Sequence, residues 1–196
     1  MKITKNWLKK HKACCSKEDM DRAEKELKGD ITLICDALLK EDRFDDANWL
    51  IVKFMNKKQG VQYAIFAAKQ VLNIFEKEYP QDKNPRLAIE SAEIYLKNPC
   101  EKTRDAAIRA ANAVLYTAAN EVADAAFYAA AYAVHAAAYA ASAAANAAYA
   151  AGAADKVVDV VADAAFYAVR AAANATRATM KDKIIKNGLK ILKGGK

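Results

Sequence analysis

From Ala106 to Ala178 the chain carries 37 alanines, a density that commits this stretch to helix. Alanine has the highest helix propensity and offers a sheet no branched or aromatic surface to pair. Burying its single methyl yields little hydrophobic free energy, so such helices must gain from close backbone approach. With 46 alanines among 196 residues, the 54% hydrophobic fraction describes an alanine scaffold more than a core of large side chains. It still provides ample apolar surface for a folded domain.

The scaffold repeats itself. VADAAFYA occurs at 122–129 and at 161–168, and TRDAAIRAA at 103–111 aligns with 122–130, so Asp105, Asp124 and Asp163 occupy equivalent positions. Helical units in register, packed side by side, follow from such spacing. An unbroken helix from Pro99 to Gly152 would run about 80 Å at 1.5 Å per residue, too long for a domain of this size. Turns are therefore expected within it, with Asn120, Ser142 and the Gly152–Asp155 boundary as candidates.

Upstream, apolar residues also fall at helical spacing and alternating patterns are absent. Ser16 and Asp19 read as a capping box opening a helix that Gly29 closes, and Asp30 caps ITLICDALLK. Asp45 or Asp46 starts a third helix running to Met55. Gly60 precedes one long helix through VQYAIFAAKQVLNIFEKEY, which Pro80 stops, and Asn84-Pro85 and Asn98-Pro99 each supply cap plus first-turn proline. The predicted fold class is all-α: a multi-helix bundle with a C-terminal array of closely packed alanine-rich helices in repeated units. An N-terminal helical part, 1–82, and an alanine-rich part, 83–196, are read as one continuous globular unit.

The net charge of +7 comes from 31 Lys+Arg against 24 Asp+Glu. Residues 1–12 hold five lysines and no acid, and residues 181–196 hold six lysines and one aspartate. The body between them carries 20 basic and 23 acidic side chains, so the basicity belongs to the ends and a nucleic-acid groove is disfavoured. Four cysteines, Cys14, Cys15, Cys35 and Cys100, form no C-x-x-C pair, and the N-terminus lacks an apolar signal stretch. A reduced cytoplasm is the expected location. No formal charge occurs between Asp124 and Asp155, but that run has almost no Leu, Ile or Val, so a buried helix is expected there rather than a membrane span.

Against the alanines the other residues form seams. Asp124, Tyr128, Tyr132, His135, Tyr139, Ser142, Asn146 and Tyr149 are spaced by three or four and share one helix face. A following seam runs Asp159, Asp163, Tyr167, Arg170, Asn174, Arg177, Lys181, and a preceding one Asp105, Arg109, Asn112, Tyr116. Converging, the seams would wall a polar cleft with tyrosines and supply arginine donors for phosphate or carboxylate. Facing outward, they would be a solvated surface with ordinary ion pairs.

No catalytic motif appears. His135 has no Cys or His at metal-ligand spacing; Asp155, Asp159 and Asp163 recur every four residues and could hold a divalent cation, but negative charge in a first helical turn is the simpler account. Phosphate loop, nucleophile elbow and HExxH are all missing. Neither an enzyme nor a cofactor is expected.

The run FEKEYPQDKNPRLAIESAEIYL, with Phe75, Glu76, Tyr79-Pro80, Asp82, Pro85-Arg86 and Ala88-Ile89, resembles the signature of the alanine-rich immunity proteins of bacterial polymorphic toxin systems (immunity-protein-five-like). Asn48-Trp49-Leu50 and the aliphatic segment from Val61 to Phe75 match what precedes that signature, and the resemblance covers about 30–180. It implies an all-helical, non-catalytic cytoplasmic protein that binds a toxin, with Arg86 as a position of interest. By spacing alone, Arg86 would open a helix and pair with Glu90 at i, i+4.

Two functions are therefore expected to compete. One is neutralisation of a protein toxin or defence effector by surface contact. The other is sequestration of a small anionic nucleotide-type ligand by Arg109, Tyr116, Tyr128, Tyr132, His135, Tyr139, Tyr167, Arg170, Asn174 and Arg177. Nucleic-acid binding through the lysine-rich ends ranks below both, no membrane role is expected, and a homo-oligomer is compatible with either reading. The C-terminal KDKIIKNGLKILKGGK, with Ile184, Ile185, Leu189, Ile191 and Leu192 and an interruption at Gly188, is expected to dock on the body or a partner.

Overall fold

The structure, a computed structural model, describes residues 2–118, 163, 164, 166 and 174–194, leaving aside the side chains of 78, 114–118 and 174–177. Every regular element among the described residues is an α-helix. They are α1 (Lys5–Lys10), α2 (Lys17–Lys25), α3 (Ile31–Lys40), α4 (Phe44–Phe54), α5 (Lys57–Lys69), α6 (Leu72–Glu78), α7 (Asn84–Lys97), α8 (Glu101–Ala118) and, last in the chain, α9 (Asn174–Gly194).

Local chemistry explains most boundaries. Ser16 and Asp19 close a reciprocal capping box on α2, and the Asp30 carboxylate accepts from the Thr32 and Leu33 amides at the start of α3. Gly29 ends the α2 turn at φ +66°, and its carbonyl accepts the Ile3 amide at 2.9 Å. A Cβ there would lie 2.5 Å from the Ile3 carbonyl oxygen, so the chain start is pinned on a residue that must be glycine.

Several expected boundaries move. Arg43, not an aspartate, is the N-cap of α4, and Asp45 and Asp46 lie in its first turn, where negative charge meets the positive helix end. Helix α5 begins before Gly60, with Asn56 and Gln59 forming its capping box. The single helix expected to run on to Pro80 is two. The Gln70 side chain donates to the Phe66 carbonyl, the Gln70 amide turns to Ala67, and α6 starts afresh at Leu72. At α7 Asn84 is already helical; Asp82 Oδ1 accepts its amide at 2.8 Å. Asn98 closes α7, and Thr103 Oγ1 accepts the Cys100 amide ahead of α8. The candidate turns at Asn120, Ser142 and Gly152–Asp155 lie outside the described residues.

The core forms one cluster from Ile3 and Leu8 through Ile51, Tyr63 and Ile89 to Ala107, Ala164 and Ile184. Helix α9 packs on α3, α4 and α5, α7 bridges α5 to α8, and α3 pairs with α4. The expected docking of the C-terminal segment on the body is what the structure shows: Ile184 and Ile185 are fully buried. Gly188 does not interrupt that face. It is the point of closest approach, against Tyr63 and Ile51.

Candidate functional site

Helices α1 to α4 leave between them a half-open cleft of about 180 Å³. Its floor is apolar, built from Ile3, Leu8, Leu27, Ile34, Leu38 and Leu50, with Trp49 on one wall. Trp49 meets Trp7 edge-on, and Trp7 is itself sandwiched between Phe54 and His11 at centroid distances of 4.4 and 4.0 Å. Stacked rings of this kind make a stiff wall.

The mouth is shaped by two helix ends of the same design. At α1 the Ala13 amide reaches back to Leu8 and Lys12 to Lys9, with Lys12 left-handed at φ +53°. At α3 Arg43 reaches to Leu38 and Asp42 to Leu39, with Asp42 at φ +59°. Both are Schellman closures, in which glycine usually takes the left-handed place. The first turns Cys14 and Cys15 to the cleft; the second delivers Arg43.

Arg43 clasps two carboxylates, Asp19 at 2.9 Å and Asp46 at 2.7 Å, and Arg22 pairs with Glu41. Hydrogen bonding from Arg43 holds the Asp19 carboxyl below its usual range. The same bonds, to Asp19 first and Asp46 second, push the Arg43 guanidinium up. The Cys15 thiol is raised, by burial first and by Asp19 second, which keeps it protonated at neutral pH. The lip is thus charged but internally paired, around an apolar hollow that has Ala37 as its small neighbour.

Of the residues singled out from the sequence as binding residues, the described ones are not among those that line the cleft. Arg86 is exposed and grips Glu76 with two parallel bonds of 2.6 Å, one from Nε and one from Nη2; this clamp across the α6–α7 corner replaces the expected Glu90 pair. Phe75 stacks on Tyr79 at 5.1 Å beside it, so the signature run builds a corner. Arg109 and Asn112 on α8 are exposed, while Ala107 and Ala111 face the core. Tyr116, Asn174 and Arg177 sit on α8 and α9, with their side chains outside the description. Tyr128, Tyr132, His135, Tyr139, Tyr167 and Arg170 lie outside the described residues. Asp105 and Asp163, equivalent by repeat, are both half-buried, as are Ile108 and Phe166.

A family model matches residues 34–192, most of the chain, and its description is a family of unknown function. The chain belongs to the DUF6931 family. No curated protein and no solved structure matches it. In this DUF6931 chain, α1 and α2 stand before the matched residues, so the cleft joins two helices of the family match to two that precede it. Sequence reasoning passed over the cleft. Cys14, Cys15, Asp19 and Asp46 entered only as cysteines and caps, and Asn48-Trp49-Leu50 as part of the resemblance; there Asn48 accepts the buried Tyr63 hydroxyl at 3.0 Å while Trp49 and Leu50 line the hollow. Among the described residues no helix is long and apolar enough to cross a membrane, and no group of His, Cys, Asp or Glu gathers to hold a metal.

Proposed function

We propose that this DUF6931 protein is a non-catalytic cytoplasmic binding protein that neutralises a toxin or defence effector by seizing it through the α1–α4 cleft. The observation that carries this reading is the cleft's size and make-up. At about 180 Å³ it is close to an apolar cavity that holds one benzene ring, and smaller than the roughly 300 Å³ at which drug-sized ligand sites begin. One leucine, phenylalanine or methionine side chain suits it; a nucleotide does not. Apolar anchor pockets ringed by polar groups are where protein interfaces concentrate their binding energy. The protonated Cys15 thiol and the mutually paired lip charges accord with a receptor rather than a reacting centre. The resemblance to immunity proteins points the same way.

The test is growth of cells expressing a toxin domain of a polymorphic toxin system, with and without the chain. Rescue by the wild type, lost when Ala37→Trp fills the cleft, is the expected result. Rescue undiminished by Ala37→Trp overturns the assignment of the cleft.

A further inference from the structure

We infer that the segment seized by this cleft is acidic: an apolar anchor residue flanked by carboxylates. The inference rests on the reading of the cleft as a partner site and adds the chemistry of what enters it. Six lysines and no acid lie between Met1 and Lys17. Lys5 is bound to Asp21 on α2, whereas Lys9, Lys10, Lys12 and Lys17 are exposed and make no ion pair among the described residues. Lys12 lines the cleft itself, Lys9 and Lys10 close the last turn of α1, and Lys17 opens α2 just past the Cys14–Cys15 mouth.

Asp19, Asp46 and Glu41 are held by Arg43 and Arg22, three carboxylates to two guanidinium groups, so the lip alone carries one negative charge, and the excess of positive charge is that of Lys9, Lys10, Lys12 and Lys17 around it. An arriving anion therefore meets the unengaged ammonium groups, while an arriving cation must compete with two guanidinium groups for occupied oxygens. The Schellman closure fixes the Lys12 backbone at the mouth, and its flexible side chain carries the charge over the opening. Opposed charge at the rim steers encounter and selects the partner, with the apolar hollow supplying the anchor.

A nucleic acid would also answer to lysines, but Trp7, the aromatic ring on α1 itself, is not free to stack. Both faces of Trp7 are covered, by Phe54 and His11.

The experiment titrates the full chain with three blocked pentapeptides, a central phenylalanine between glutamates, the same between lysines, and alanine between glutamates, following tryptophan fluorescence. The glutamate–phenylalanine peptide is expected to bind. Its affinity should weaken with salt, fall roughly tenfold in Lys9→Glu/Lys12→Glu, and vanish in Ala37→Trp. The lysine peptide and the alanine peptide are expected to bind far less. Equal binding of the two phenylalanine peptides, no binding of either, or an oligothymidylate that binds regardless of Ala37→Trp overturns the inference. The lysine substitutions are on exposed side chains, and reversing the charge at the end of α1 weakens that helix end only modestly. If the acidic peptide binds but growth rescue fails, the neutralising role falls and this inference stands; rescue without peptide preference has the reverse meaning.

Discussion

A Cβ placed on Gly188 would lie 2.8 Å from Cε2 of Tyr63 and 2.9 Å from Cγ2 of Ile51, so α9 approaches the body more closely than any side chain permits. Both neighbours are fully buried and cannot swing aside. Gly188→Ala gains up to about 1 kcal/mol of helix propensity, but forcing a methyl into a packed core costs about 1–3 kcal/mol. The expected net is a loss of up to about 2 kcal/mol in urea denaturation. Gly194→Ala, which meets nothing within 4 Å, should leave stability unchanged or slightly raised.

At Lys12 the sign reverses. Its left-handed backbone, at φ +53°, is unfavourable by about 1–2 kcal/mol for a residue with a Cβ. Glycine removes that strain and adds about 0.5–1 kcal/mol of chain entropy to overcome. Lys12→Gly should therefore stabilise the fold by roughly 0.5 kcal/mol, a rise of one or two degrees in Tm. It should also weaken the acidic peptide, separating stability from binding.

Arg43→Met should lower stability at neutral pH by about 1 kcal/mol, a figure held down because the Arg43–Asp19 pair is about a third exposed to solvent. Asp19 has a lowered folded-state pKa, caused first by its hydrogen bond from Arg43, with an ordinary value of 3.8. The stability this contributes is present above that ordinary value and is lost as pH falls through the lower, folded one. The gap between wild type and variant should accordingly persist from neutral pH to about pH 5 and close in stronger acid. Denaturation curves across that range decide it; a gap independent of pH would remove Asp19 from the account.

The cysteines should separate by reactivity. Cys100 is exposed ahead of α8, and hydrogen bonding from Thr103 lowers its thiol below the ordinary 9.0. Cys35 is buried, and burial pushes its thiol up to about 12. Iodoacetamide should label the exposed Cys100 in the folded protein, and Cys35 only after unfolding. The Cys100 rate should rise with pH through a midpoint lower than that of an ordinary thiol, and Thr103→Val should move that midpoint upward. Mass spectrometry of tryptic peptides reads each site.

Residues that act on their own neighbours were legible in the chain. Ser16 with Asp19, Asp30 with the amides that follow it, and the buried stripe Ile184–Ile185–Leu189 each behave as their spacing predicts. What misled was a local rule overtaken by a longer contact. Arg86 has an acid at i+4, yet Glu76 across the corner offers it two parallel bonds instead of one. At Gln70 the departure is itself local: where α5 ends, its side chain donates to the Phe66 carbonyl one turn back, which its ordinary helix propensity does not foretell.

Helical class, the main caps, the placement of charge at the two ends and the amphipathic last helix were all determined by the sequence alone, because each depends on propensity, on charge count or on contacts within one turn. The cleft belongs to tertiary structure. Ile3, Leu27, Leu38 and Trp49 come from separate segments and carry no shared motif, and only the packing of α1 to α4 leaves a hollow between them. Gly188 shows the same division in one residue. In the sequence it reads as a gap in an apolar stripe, and in the fold it is where α9 meets Tyr63, since the worth of a missing side chain is set by what stands opposite it.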